Sequence, residues 1–250
     1  MTFALKCLRA LLAVAASAQA LATEVQVAVA ANFAAPMHKI ATAFERDTGH
    51  KAVLSVGATG KFYAQIRHGA PFAVLLAADD ETPARLQKEG LAAAGSAFTY
   101  AIGQLVLWSA DSAAVDAQGA VLNAPLNGKL ALADPKLAPY GAAALQVLQQ
   151  RGLVDKLRPH FVLGENIAQT FQFVKTGNAS MGFVALSQVM QDGKITTGSA
   201  WVVPAALHEP IRQDAVLLRQ GADNPAAKAL LQYLRTDAAR AVIRAYGYSV

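Results

Sequence analysis

Cysteine is almost absent: the 250 residues hold one, Cys7, and it stands ahead of the first apolar run, where a lipidated cysteine following a lipoprotein leader would not lie. A lone thiol forms no internal disulfide even in an oxidising compartment, so a core must hold the fold. An apolar fraction of 54% supplies one, in a length that suits one large domain or two smaller ones. Histidine is sparse too. His38, His50, His68, His160 and His208 lie far apart, with no second histidine or cysteine at metal-ligand spacing, which excludes a conventional metal-cation site. Charge is low: the formal +5 falls to +3 when Lys6 and Arg9 are set aside, and the remaining basic residues are scattered. That is no nucleic-acid footprint. There is no dinucleotide G-x-G-x-x-G, no long low-complexity segment and no repeat of solenoid period.

What is present begins with an export signal. Lys6 and Arg9 precede the apolar run Leu11 to Ala16, and Ala18, Ala20 and Ala22 supply small residues for cleavage after Ala20 or Ala22. The run is too short to cross a bilayer as a retained helix. Residues 1–22 therefore read as a cleavable signal peptide, and the mature chain as exported.

Beyond it the chain is organised around Val25 to Gly49. An apolar strand (Val25, Val27, Val29) turns at Ala30-Ala31-Asn32-Phe33 into a helix carrying Met37, Ile40, Ala41 and Phe44 at helical spacing. Strand ends that turn straight into helices are where doubly wound sheets bind ligands, because helix N-termini carry unpaired N–H groups. Ala30 and Ala31 offer only backbone donors. Asn32 is read as a plain N-cap or as a donor to a ligand, and the stretch alone leaves both open. The pattern recurs at once: strand Ala52 to Val56, turn Gly57-Ala58-Thr59-Gly60, then a helix through Phe62 and Ile66, with Thr59 as the second neutral donor. A third strand, Ala73 to Ala77, leads to Asp79-Asp80-Glu81-Thr82-Pro83, where Thr82 is expected to cap a helix begun by Pro83.

Phe98 to Trp108 is one long β-prone run, read as a crossover strand into a second domain. That domain is expected to hold a strand near Lys129 to Ala133, and a helix entered at Pro139-Tyr140-Gly141 with the N–H groups of Tyr140 and Gly141 facing outward. A further turn at Gly164 to Ala168 precedes a helix from Gln169 to Thr176, and Met181 to Ala185 forms a strand. Pro204 to Pro210 and strand Ala215 to Leu218 read as the return. Helices Pro225 to Leu234 and Asp237 to Tyr246 would pack back on the first domain.

Two catalytic motifs are nearly present. Ser55 to Phe62 approaches a phosphate-binding P-loop but has Ser55 in place of its first glycine and Phe62 in place of its Ser or Thr. Asn178-Ala179-Ser180-Met181-Gly182 approaches a nucleophile elbow with Asn178 in place of its first glycine, which keeps an exported serine hydrolase using Ser180 as a competing reading.

Taken in order, Ala30-Ala31-Asn32-Phe33, Tyr63-Ala64-Gln65-Ile66, Gly69-Ala70-Pro71, Phe98 to Gly103, Leu105 to Ser109, Ala138-Pro139-Tyr140-Gly141 and Gly182-Phe183-Val184-Ala185 resemble the molybdate-binding proteins of bacterial ABC transporters over nearly the whole mature chain. The resemblance implies an α/β periplasmic binding protein of the type II class, with two domains, a mixed, mostly parallel sheet in each, and a hinge of two crossover strands. Domain I would be 23–101 with 206–250, and domain II 102–205. It implies a non-enzymatic, cofactor-free monomer that holds molybdate or tungstate without a counter-charge and hands it to an inner-membrane permease from the periplasm. Sulfate, phosphate or a small organic anion stays open as the ligand of the same fold. Carried over by position, Ala31, Asn32, Ala58 and Thr59 would meet the anion from domain I, and Tyr140 and Ile167 from domain II. Many members have a tyrosine where this chain has Ala185; an asparagine at the first turn replaces it in one branch, and Asn32 fits that branch. The same branch tends to carry a hydroxyl residue where this chain has Ala31. Lys61 is expected to face solvent.

Overall fold

The computed structural model describes residues 23–191 and 193–250, so the signal segment 1–22, with Cys7, lies outside the described residues. In chain order the strands and helices are β1 (Glu24–Ala30), α1 (Ala34–Thr48), β2 (Lys51–Gly57), α2 (Thr59–Arg67), β3 (Val74–Leu76), α3 (Glu81–Lys88), β4 (Phe98–Gly103), β5 (Leu105–Ser109), β6 (Leu130–Ala133), α4 (Pro139–Gln150), α5 (Val154–Leu157) and β7 (Phe161–Gly164). They continue as α6 (Ile167–Lys175), β8 (Met181–Ala185), a small hairpin of β9 (Met190–Gln191) and β10 (Lys194–Ile195), β11 (Ser199–Val202), β12 (Ile211–Leu217), α7 (Pro225–Tyr233) and α8 (Asp237–Ala245).

These strands build two five-stranded sheets, β2-β1-β3-β12-β4 and β11-β5-β8-β6-β7. In the first, β12 alone runs against its neighbours β3 and β4. In the second, β5 alone runs against β8 and β11. Each sheet is therefore mixed and mostly parallel. Each reversed strand is the first one laid down after the chain crosses between sheets. The long run read as a single crossover strand is in fact two. It breaks at Gln104, because Phe98 to Gly103 pairs with β12 while Leu105 to Trp108 pairs with β8. The Gln104 carbonyl between them accepts the Leu186 N–H. The strands β7 and β11 carry no signal that the sequence reading used.

The buried strands explain the apolar composition. β1 places Val25, Val27 and Val29 against Met37, Ile40 and Phe44 of α1 and against α7 and α8. In the other sheet, Leu105, Leu107, Leu130, Leu132 and Phe183 pack on α4. Ala30, Ala31 and Ala78, from the first sheet's side, belong to that second cluster, so apolar packing is continuous from one domain to the other. The domains also bond directly across the cleft: the Gly60 N–H donates to the Leu137 carbonyl at 3.0 Å, and Lys61 pairs with Glu165 at 2.7 Å. This is a closed arrangement.

Candidate functional site

Four helix entrances meet where the sheets face each other, and each leaves a different set of backbone donors free. At the first, Ala30 leads into a 3-10 turn, Ala31–Phe33, and then α1, with no side chain capping either. Asn32 is thus not an N-cap. At the second, Ala58 precedes Thr59 in an extended conformation, again with no side-chain cap. At the third, the N–H groups of Gly141 and Ala142 both turn back to the Ala138 carbonyl. Of the two donors expected there, Gly141 is therefore spent, and Tyr140 is the one that remains. At the fourth, α6 starts at Ile167, two residues before the position read from the sequence, because Asn166 caps it: its Oδ1 accepts from Ala168 and Gln169 at 2.9 and 3.0 Å. Cap and helix together leave the Ile167 N–H.

These entrances line one small cavity. Ala31, Asn32, Ala58 and Thr59 come from the first domain and Tyr140 and Ile167 from the second, with Ala30, Gly57, Ala78, Ala138, Pro139 and Asn166 completing the wall. None of these lining residues carries a charge. The space open to the centre of a water-sized sphere is about 10 Å³, close to the room one water takes, so in this closed arrangement the cavity is small and admits nothing of drug size. Four helix or 3-10 entrances pointing at it favour negative charge.

Each polar side chain is fixed by particular partners. The Thr59 hydroxyl oxygen accepts the Ala78 N–H at 3.0 Å, which leaves the hydroxyl's own proton to donate elsewhere. Asn32 gives both amide hydrogens inward, to Gln213 Oε1 at 2.8 Å and to Tyr248 Oη at 2.9 Å. Its backbone carbonyl accepts from Ser187 Oγ and from Tyr248 Oη, both at 2.8 Å. Tyr140 Oη accepts from Gln213 Nε2 at 3.1 Å, and burial pushes that phenol well above its ordinary pKa, so it stays neutral. Ala185 ends β8 fully buried, its N–H on Gln188. Lys61 is turned out to Glu165, with both side chains largely in solvent.

Sequence reading passed over Gln213, Tyr248 and Ser187. Strand alternation held the signal for Gln213: Ile211, Gln213 and Ala215 share the buried face of β12, and a glutamine there needs polar partners. Ser180, the competing nucleophile, donates its hydroxyl to the Lys129 carbonyl at 3.0 Å.

A larger cleft of about 710 Å³ adjoins the small cavity along Ala78, Ala138 and Pro139. Its walls mix cations (Arg85, Lys136, Arg212) with carboxylates (Asp79, Asp80, Glu81, Glu209). Asp79 accepts from the Thr82 N–H and hydroxyl at 2.9 and 3.2 Å, so Asp79, not Thr82, closes the start of α3. Burial, opposed by those bonds, lifts its carboxyl from 3.8 to about 6. A mixed, open wall suits solvent; the uncharged cavity, with converging N–H groups, suits an anion's acceptors.

Comparison with known proteins shows the family of the chain. The sequence model of the bacterial extracellular solute-binding proteins matches residues 25–249. The molybdate-binding protein ModA of Azotobacter vinelandii is 61% identical, over 92% of this chain and 91% of its own. ModA of Rhodobacter capsulatus is 52% identical, over 92% and 89%. The solved structure of a periplasmic molybdate-binding protein from Azotobacter vinelandii superposes with a TM-score of 0.88 at 41% identity, covering 90% of this chain and 99% of that one. The chain belongs to the ModA family of bacterial extracellular solute-binding proteins.

Proposed function

We propose that this chain captures molybdate, and tungstate with it, in the small cavity between its domains and delivers the anion to an inner-membrane ABC permease. The observation that carries this reading is the convergence of Ala31, Asn32, Ala58, Thr59, Tyr140 and Ile167, drawn from both domains, on one uncharged cavity at helix entrances. Backbone N–H groups of Ala31, Asn32, Thr59, Tyr140 and Ile167, with the Thr59 hydroxyl, supply donors to the anion's oxygens. Each charge-assisted bond contributes roughly 1.5 to 3 kcal/mol, so a handful holds a dianion with no cation beside it. The chain acts as a non-enzymatic monomer in the periplasm once residues 1–22 are cleaved. Its lobes move about Gly103-Gln104 and the 203–210 return.

Isothermal titration of the signal-free protein tests the reading. One-to-one heats with molybdate and tungstate, and none with sulfate, are expected. Binding of sulfate or phosphate with silence toward molybdate would keep the cavity and change its ligand; silence toward all of them would end the proposal.

A further inference from the structure

Asn32 sits in a ring of buried neutral groups whose protons can be counted. Both Nδ2 hydrogens go inward, to Gln213 Oε1 and Tyr248 Oη. Among the described residues no donor reaches Oδ1, yet it is not one of the unpartnered side-chain atoms sealed from solvent, so with Asn32 on the cavity wall the amide in this order turns an acceptor toward the cavity. An oxyanion needs a donor there. Turning the amide over exchanges N and O without changing its shape, yet Oδ1 would then face Gln213 Oε1. Both amides must turn together. The surroundings allow it: Tyr100 donates to the Ala77 carbonyl at 3.0 Å, so its oxygen is free to accept from Gln213 Nε2, and Tyr140 Oη can donate to Gln213 Oε1. The Tyr248 proton moves from the Asn32 carbonyl to Asn32 Oδ1, while Ser187 keeps that carbonyl satisfied.

The fold makes room for this ring. The pairing passes from Gln213–Ala101 to Asp214–Thr99, so Tyr100 of β4 is an extra, bulged residue opposite the glutamine. A methyl group at Gly103 would collide with Tyr140 Oη and come within 2.6 Å of Gln213 Nε2.

We propose that Gln213 and Tyr248 are positioning residues of the anion site: with Asn32 they form a hydrogen-bond chain with two proton orders, and an oxyanion selects the one that points Asn32 Nδ2 into the cavity. This rests on the cavity being the oxyanion site. The titratable groups around Gln213 are the phenols of Tyr100, Tyr140 and Tyr248, with the carboxyls of Asp79 and Asp214 acting on Tyr100 from behind; Asp79 titrates at about 6 in both proteins, so the unsubstituted chain carries that part of the profile. Burial raises all three phenols, Tyr248 to about 12, so they stay protonated donors throughout the test below.

The test compares molybdate affinity in Tyr248→Phe, Gln213→Glu and Asn32→Ala, with thermal melts confirming folding. Tyr248→Phe is expected to weaken binding about tenfold. Gln213→Glu, titrated beside the unsubstituted chain from about pH 5.5 to 9, is expected to lose affinity progressively as its carboxyl ionises. The carboxylate only accepts and locks Nδ2 inward, whereas the protonated acid donates to Asn32 and accepts from Tyr140 as glutamine would. A merely structural role would give no such pH profile. If both variants bind like the unsubstituted chain at every pH while Asn32→Ala binds more weakly, the inference is overturned and the site reading stands. Unchanged binding in Asn32→Ala overturns the inference, and unchanged binding in Thr59→Val as well would overturn the site reading too. Side-chain amide NMR of the unsubstituted protein gives a second reading: molybdate should move the Asn32 and Gln213 signals together, and a Gln213 signal that stays still sinks the proposal.

Discussion

The two halves of the cavity are built from different chemistry. The first domain adds side chains to its backbone donors: Thr59, whose hydroxyl leans on the Ala78 N–H, and Asn32, tied to Gln213, Tyr248 and Ser187. The second domain brings backbone: the Tyr140 and Ile167 N–H groups, left over after Ala138 and Asn166 satisfy their neighbours. A backbone donor survives any substitution that keeps its helix, whereas a side-chain donor is lost in one step. The first half is thus the part whose side-chain donors a single substitution can remove.

Substitution should separate the halves. The largest effect is expected at Asn32→Ala, which removes the amide and takes one hydrogen bond each from buried Gln213 and Tyr248. Molybdate affinity should fall by roughly tenfold to a hundredfold, and stability by about 1 to 3 kcal/mol, read by calorimetric titration and urea unfolding. Thr59→Val keeps the shape and deletes the hydroxyl, so about tenfold weaker binding is expected, together with a lower melting temperature from the stranded Ala78 N–H. Ile167→Ala, on the backbone side, should leave affinity within about twofold while costing about 2 to 5 kcal/mol of core packing. Equal losses of affinity at Thr59 and Ile167 would dissolve the contrast.

A loss of stability on going from acid toward neutral pH also belongs to the first domain. The folded chain holds the Asp79 proton up to about pH 6, where the unfolded chain has released it near 3.8. The unfolded state then binds fewer protons, so this group's contribution to stability is full below the unfolded value and is lost as pH rises to about 6. Asp79→Asn should flatten that stretch of the stability profile and stabilise the protein by roughly 2 kcal/mol at pH 7. The smallest effect is expected at Lys61→Ala. Its partner Glu165 lies across the cleft, but both side chains are exposed, so affinity should change by no more than about twofold and the change should vanish in high salt.

The helix entrances were legible in the sequence because each is local: a strand, a few small residues, an amphipathic helix. β8 was read residue for residue, since Met181 to Ala185 is a continuous apolar run bounded by turn residues. What was not legible depends on distant pairing. The break at Gln104 follows from β4 and β5 finding different partners, which an eleven-residue β-prone stretch cannot announce. Tyr248 lies 216 residues from the asparagine it holds, and no periodicity links them. The α3 start was misplaced for a smaller reason: Thr82 has the side chain of a cap, but Asp79 sits where its carboxylate can reach the Thr82 N–H.

The most direct test is to grow crystals with molybdate and locate molybdenum by its anomalous scattering. A single peak is expected in the uncharged cavity, its oxygens about 2.7 to 3.1 Å from the Thr59, Tyr140 and Ile167 nitrogens. A peak in the larger cleft instead, beside Arg85, Lys136 or Arg212, would contradict the claim that neutral donors from both domains hold the anion.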